Sequence, residues 1–137
     1  MRKILALLAV VAVTVGLLEG CGGGQSSQAA ADKVCSARTQ LHDSMNTVKQ
    51  DVTSANFGKA KDGLSQVKKD FNNLVEATKG LAHDKAQALS PQIDALKKEL
   101  ANLKNVSSLS ELANSLGTIS SEVQALYAKV TDTLKCS

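Results

Sequence analysis

Residues 108–134 read SLSELANSLGTISSEVQALYAKVTDTL, and this stretch decides the fold. Its large aliphatic residues recur at alternating spacings of three and four, which places them on one face of an α-helix. These positions are Leu109, Leu112, Leu116, Ile119, Val123, Leu126, Val130 and Leu134. A helix with one apolar face must bury that face against other elements, so the stretch predicts helix-on-helix packing.

Three further stretches carry the same spacing, and from Asp32 onward no stretch alternates with the period of a strand. The predicted helices span residues 32–54, 57–80, 84–104 and 108–135. The first stripe has Val34, Leu41, Met45, Val48 and Val52, with Arg38 interrupting it; the second has Phe57, Ala60, Leu64, Val67, Phe71, Leu74 and Leu81, with Thr78 filling one place; the third has Ala86, Leu89, Ile93, Leu96, Leu100 and Leu103. We therefore predict an all-α domain over residues 32–137, an antiparallel up-down four-helix bundle.

Residues typical of helix ends separate the stripes. Gly80 followed by Leu81 is typical of a C-terminus in which glycine adopts the left-handed conformation. N-terminal caps are predicted at Asn56, at Asp84 with Gln87, and at Ser108 with Glu111. Pro91 leaves two starts open for the third helix, at Asp84 or at Ser90.

Two segments resemble each other: VKKDFNNL at residues 67–74 and LKKELANL at residues 96–103. They could record a duplicated helical hairpin. The alternative, which we favour, is that lysine-rich amphipathic helices converge on this pattern with their lysines solvated.

Composition indicates one aliphatic domain and argues against a role in nucleic-acid binding. The chain has 137 residues, 43% of them hydrophobic but only 2% aromatic, which is enough for one domain with an aliphatic core. Its 16 basic side chains nearly balance 13 acidic ones, and lysines alternate with acids along the sequence. A nucleic-acid partner is not expected, because the basic face and stacking aromatics that it requires are missing.

Residues 1–20 have the composition of a secretory signal peptide. Arg2 and Lys3 precede an uninterrupted run of apolar or small residues from Ile4 to Leu18. At about fifteen residues this run is shorter than the roughly twenty that span a bilayer. Ordinary cleavage of such a peptide near Ala29 to Ala31 would release a soluble protein.

The end of this run resembles the lipobox of bacterial lipoproteins: Leu18, Gly20 and Cys21 match the family pattern, and Glu19 departs from it. The resemblance implies that Cys21 carries a thioether-linked diacylglycerol after cleavage between Gly20 and Cys21. The protein would then be exported and anchored by lipid rather than released, on the extracytoplasmic face of the cell membrane or on the outer membrane facing the periplasm. The segment 21–31 is rich in Gly, Ser and Ala, so we expect a flexible tether.

Two cysteines remain, and the exported compartment implied by this resemblance favours their pairing. A Cys35–Cys136 disulfide requires the start of the first helix and the end of the last to meet. Four alternating helices satisfy this, whereas three would separate the thiols by a helix length of about 35 Å, against the roughly 7 Å that a disulfide allows.

No residue pattern points to catalysis, a cofactor or a metal. His42 and His83 lie apart, and both are expected at the surface. Tyr127 lies beside its stripe and is either partly buried or a partner contact. The sequence favours a non-enzymatic interaction or scaffold module that binds an envelope protein or the cell wall. A carrier of a small apolar ligand inside the bundle is the alternative, and an envelope enzyme is the least favoured.

Overall fold

The computed structural model describes residues 25–137, so the predicted signal peptide and Cys21 lie outside the described residues. It contains α1 (Gln25–Thr53), α2 (Phe57–Thr78), α3 (His83–Asn102) and α4 (Leu109–Leu134). A 3₁₀ turn, Leu103–Asn105, follows α3. The predicted fold class is confirmed: the described chain is an antiparallel four-helix bundle closed by a Cys35–Cys136 disulfide.

Helix α1 packs against α4 and, most extensively, against α2. Helix α3 packs on α4, and α2 and α3 have the least contact of these neighbouring pairs. One continuous core joins all four helices, and its most deeply buried side chains include Leu41, Met45, Val48, Val67, Leu74, Leu89, Leu96, Leu112, Ile119, Leu126 and Val130.

Most residues of the predicted apolar stripes form this core or pack against it; Ala86 and Leu109 do not. The two polar members of the stripes, Arg38 and Thr78, are also buried. Thr78 stays on its own helix by donating its hydroxyl to the Val75 carbonyl at 2.6 Å, so its burial leaves no unpaired donor.

The tether prediction is wrong over residues 25–31, because α1 begins at Gln25 rather than near Asp32. Ala30 and Ala31 are 8% and 5% exposed, so this first part of the helix packs on the bundle. Burial of small side chains and the high helix propensity of alanine outweigh the flexibility that the composition suggested.

Two of the three predicted N-caps are confirmed. The Asn56 side chain accepts from the Lys59 backbone N–H at 3.1 Å, and the Ser108 hydroxyl accepts from Glu111 N–H at 3.2 Å. The Glu111 carboxylate in turn accepts from the backbone N–H of Ser107 at 2.9 Å. The Ser107 backbone N–H, which contributes most, and the Ser107 hydroxyl both donate to this carboxylate and lower the pKa of Glu111 below its ordinary 4.5.

The cap predicted at Asp84 is wrong. Helix α3 begins at His83 behind Ala82, whose side chain makes no capping bond, and Asp84 lies in the first turn. An acidic residue there still favours the helix through the N-terminal end of the dipole. Pro91 lies inside α3, so the earlier of the two predicted starts is the better one.

Gly80 does not adopt the predicted left-handed conformation, since no glycine among residues 25–137 has a positive φ. A β-carbon at Gly80 would lie 3.1 Å from Cβ of Ala30, so the absence of a side chain allows α1 to approach closely. The left-handed positions are instead Ala55, in the α1–α2 turn, and Lys135, after α4.

The two similar segments lie on α2 and α3. A duplicated hairpin would align α1 with α3 and α2 with α4, so the order of the helices argues against duplication and for convergence.

Candidate functional site

The cysteine pair joins the two ends of the domain. Cys35 and Cys136 are bonded, with their Cα atoms 5.7 Å apart and a separation of 101 positions in sequence. The bond fixes the chain just after α4 against the N-terminal half of α1. Of the site residues that the sequence predicts, both of these cysteines are therefore placed together, and Cys21 lies outside the described residues.

Beside the disulfide, α1 and α4 bring together the Arg38 cluster, which consists of Arg38, His42, Tyr127 and Thr131. The guanidinium carbon of Arg38 lies 4.0 Å from the centre of the Tyr127 ring, within range of a cation–π interaction. An Arg38 Nη1–H also donates to the Thr131 hydroxyl. The His42 ring lies 5.1 Å from that of Tyr127, tilted by 47°.

Arg38 places a charged guanidinium in the core, which is unusual. It is 5% exposed, and its buried Nε has no hydrogen-bond partner within residues 25–137. None of the ion pairs among those residues involves it. A buried cation without a carboxylate is costly, so the tyrosine ring and one hydroxyl stand where a counter-ion is usual.

A second candidate surface is the α2–α3 groove, a depression of about 340 Å³ lined by Lys68, Phe71, Asn72, Lys97, Leu100, Ala101 and Lys104. Phe71 and Leu100 are 4% and 5% exposed and form an apolar floor. The three lysines supply positive charge, and no carboxylate lines this groove.

A buried carboxylate lies on the opposite side of α2, facing α1. Asp70 is 5% exposed; it accepts from the Ser44 hydroxyl and, at 2.8 Å, from the Gln66 amide. These donors satisfy the carboxylate locally, which makes it a structural link between α1 and α2.

Within residues 25–137, no three His, Cys, Asp or Glu side chains come close enough together to hold a metal ion. In the same part of the chain, no helix has the length and apolarity needed to cross a membrane. His83 is exposed as expected, and the His42 side chain is 37% exposed, so it reaches the surface while one side of its ring contacts Tyr127. The partial burial expected for Tyr127 is found.

Sequence reasoning missed the Arg38 cluster and the α2–α3 groove. For the cluster a signal was present: Arg38 and His42 are spaced i, i+4 on α1, as are Tyr127 and Thr131 on α4. Once Cys35 and Cys136 are paired, these two faces must oppose each other.

We compared the chain with protein-family models, curated proteins and solved structures, and nothing in any of the three matches it.

Proposed function

We propose that this chain is a lipid-anchored protein of the bacterial cell envelope that acts as a non-enzymatic interaction module. The observation that carries the proposal is the bonded Cys35–Cys136 pair. Structural disulfides persist in oxidising compartments and are rare in the cytosol. The bond therefore supports export, for which residues 1–20 supply the signal and Cys21 the lipid attachment site.

The position where α1 begins limits how far the domain could lie from the membrane. Four peptide steps separate Cys21 from Gln25, and they extend at most about 14 Å. The beginning of α1 would then lie close to the lipid headgroups. Two acyl chains on Cys21 give stable attachment, whereas one chain gives only marginal binding.

The packing of the bundle favours an interaction role over a carrier role. A carrier needs space between the helices, but the interior positions hold large side chains that are 0–2% exposed, such as Leu41, Leu89 and Leu126. The α2–α3 groove lies at the outer surface, where two helices meet. Such a groove suits a partner that binds from outside.

The anchor is tested by feeding cells a labelled fatty acid and following the label into the wild-type protein and a Cys21→Ser variant. We expect label in the membrane-bound wild type and none in the variant. Unlabelled wild-type protein in the soluble fraction would contradict the anchor.

The interaction role is tested separately by in-cell cross-linking of the anchored protein. A specific cross-linked species that recurs between preparations is expected. Its absence at every surface position tried would argue against a module that works by binding.

A further inference from the structure

The α2–α3 groove is built from the two similar sequence segments. It is lined by the second, fifth and sixth residues of each: Lys68, Phe71 and Asn72 from VKKDFNNL, and Lys97, Leu100 and Ala101 from LKKELANL. The bundle thus presents the same pattern of lysine, large apolar residue and smaller residue from both walls.

The positive charge of this groove meets no carboxylate in the groove's own lining. None of the ion pairs among residues 25–137 involves Lys68, Lys97 or Lys104. The acid in the first segment, Asp70, is turned toward α1, where Ser44 binds it. The groove therefore offers amines on both walls and no competing carboxylate.

The apolar part of the groove is recessed. Phe71 and Leu100 are almost fully buried, so they cannot insert into another surface; Ala101 is exposed but small. Surfaces that enter lipid project large apolar side chains, and this one does not. It can instead receive side chains that project from a partner, and the lysine stems add apolar area along its walls.

We propose that the α2–α3 groove docks an acidic amphipathic helix of a partner protein. Helices commonly bind by laying an apolar stripe into a groove between two others, and acidic residues beside the stripe would meet the three lysines. A second copy of this chain is a poor occupant, because its groove would bring lysines against lysines. The inference rests on the proposed interaction role and names its partner class.

The probe is a fluorescent peptide of about 20 residues, long enough for partial helicity in isolation, with a leucine stripe flanked by glutamates. A control peptide has lysines in place of the glutamates. The full protein is purified from its host, and lipidated protein is reconstituted in phosphatidylcholine nanodiscs. Peptide binding is followed by fluorescence anisotropy.

The variant is Lys68→Glu with Lys97→Glu, and the matched control is Lys69→Glu with Lys98→Glu. The control makes the same charge change one residue along each segment, outside the groove lining. We expect the groove variant to lose about tenfold in affinity and the control less than about twofold, with binding weaker at high salt. Circular dichroism verifies that both variants remain helical.

Three results would overturn the proposal: equal losses in the two variants, equal binding of the two peptides, or no saturable binding of the acidic peptide. Preferential binding of phosphatidylglycerol vesicles over the acidic peptide, through the same lysines, would also overturn it and indicate a membrane surface. The anchor is tested independently, because a labelled wild type that binds no peptide leaves attachment intact and refutes only the groove.

Discussion

At the scale of single residues, Arg38 is the position where the aliphatic core departs from its own pattern. Its guanidinium lies over Tyr127 and donates to Thr131, with no carboxylate as partner in the described chain. Replacing a buried charge with an apolar side chain of similar volume is often neutral or stabilising. We therefore expect Arg38→Met alone to change total stability little.

We expect Arg38 and Tyr127 to be energetically coupled. A double-mutant cycle with Arg38→Met and Tyr127→Leu should give a coupling free energy of about 1–2 kcal/mol, the range of a desolvated cation–π contact. Either single substitution already removes this contact, so the double variant cannot lose it again. The measurement is chemical denaturation of the four proteins. Additive effects would show that the contact does not stabilise the fold.

Two helical glycines should respond oppositely to alanine. A β-carbon at Gly63 would lie 2.7 Å from a methyl group of buried Val48, whereas one at Gly117 meets nothing within 4 Å. Gly117→Ala should raise the free energy of unfolding by about 1 kcal/mol through helix propensity. Gly63→Ala should lower it, because overpacking costs about 1–3 kcal/mol and exceeds that gain.

Thermal unfolding of the two variants beside wild type measures this difference. A stabilised Gly63→Ala protein would mean that α1 and α2 are less closely packed around Val48 than the 2.7 Å approach indicates.

At the scale of helices, the sequence predicted the helix termini that are set by side-chain caps close in sequence. It did not predict the terminus that is set by packing against other helices. Asn56 and Ser108 cap their helices through bonds three residues along the chain, which sequence spacing reveals. The start of α1 depends on burial of Ala30 and Ala31 against the bundle, and no local pattern reports that. Gly80 was recognised as special but for the wrong reason, because its role is close approach to α1.

The first turn of α4 should respond to acid through Glu111. Its pKa is lowered in the folded protein, so its contribution to stability is present above its ordinary pKa of 4.5 and is lost as the pH falls through the folded value. Glu111→Gln should therefore be less stable than wild type near neutrality, and the gap should close in acid. Thermal melts from neutral pH to about pH 2 test this, and a gap independent of pH would contradict it.

At the scale of the whole molecule, the even number of helices and the cysteine pair constrain each other. Four stripes predict ends that meet, and the meeting ends carry Cys35 and Cys136. The sequence did not predict the α2–α3 groove, because the groove depends on how α2 and α3 are positioned relative to each other. Both lysine segments were recognised, but a single helix does not reveal which of its solvated faces will meet another.

Removal of the disulfide should destabilise the bundle substantially. A bond that closes a loop of about 100 residues contributes up to about 4.7 kcal/mol in the chain-entropy account. Cys35→Ser with Cys136→Ser should lower the free energy of unfolding toward that limit, and reduction of the wild type should have the same effect. Equal stability of oxidised and reduced protein would contradict this.

The central claim, a disulfide-closed bundle anchored through Cys21, is tested most directly by intact mass spectrometry of the protein from cell membranes. The account predicts a chain that begins at Cys21, carries at least a diacylglycerol, and lacks two hydrogens because Cys35 and Cys136 are bonded. A chain that begins downstream of Cys21, one whose Cys21 carries no lipid, or one in which Cys35 and Cys136 are both reduced would contradict it.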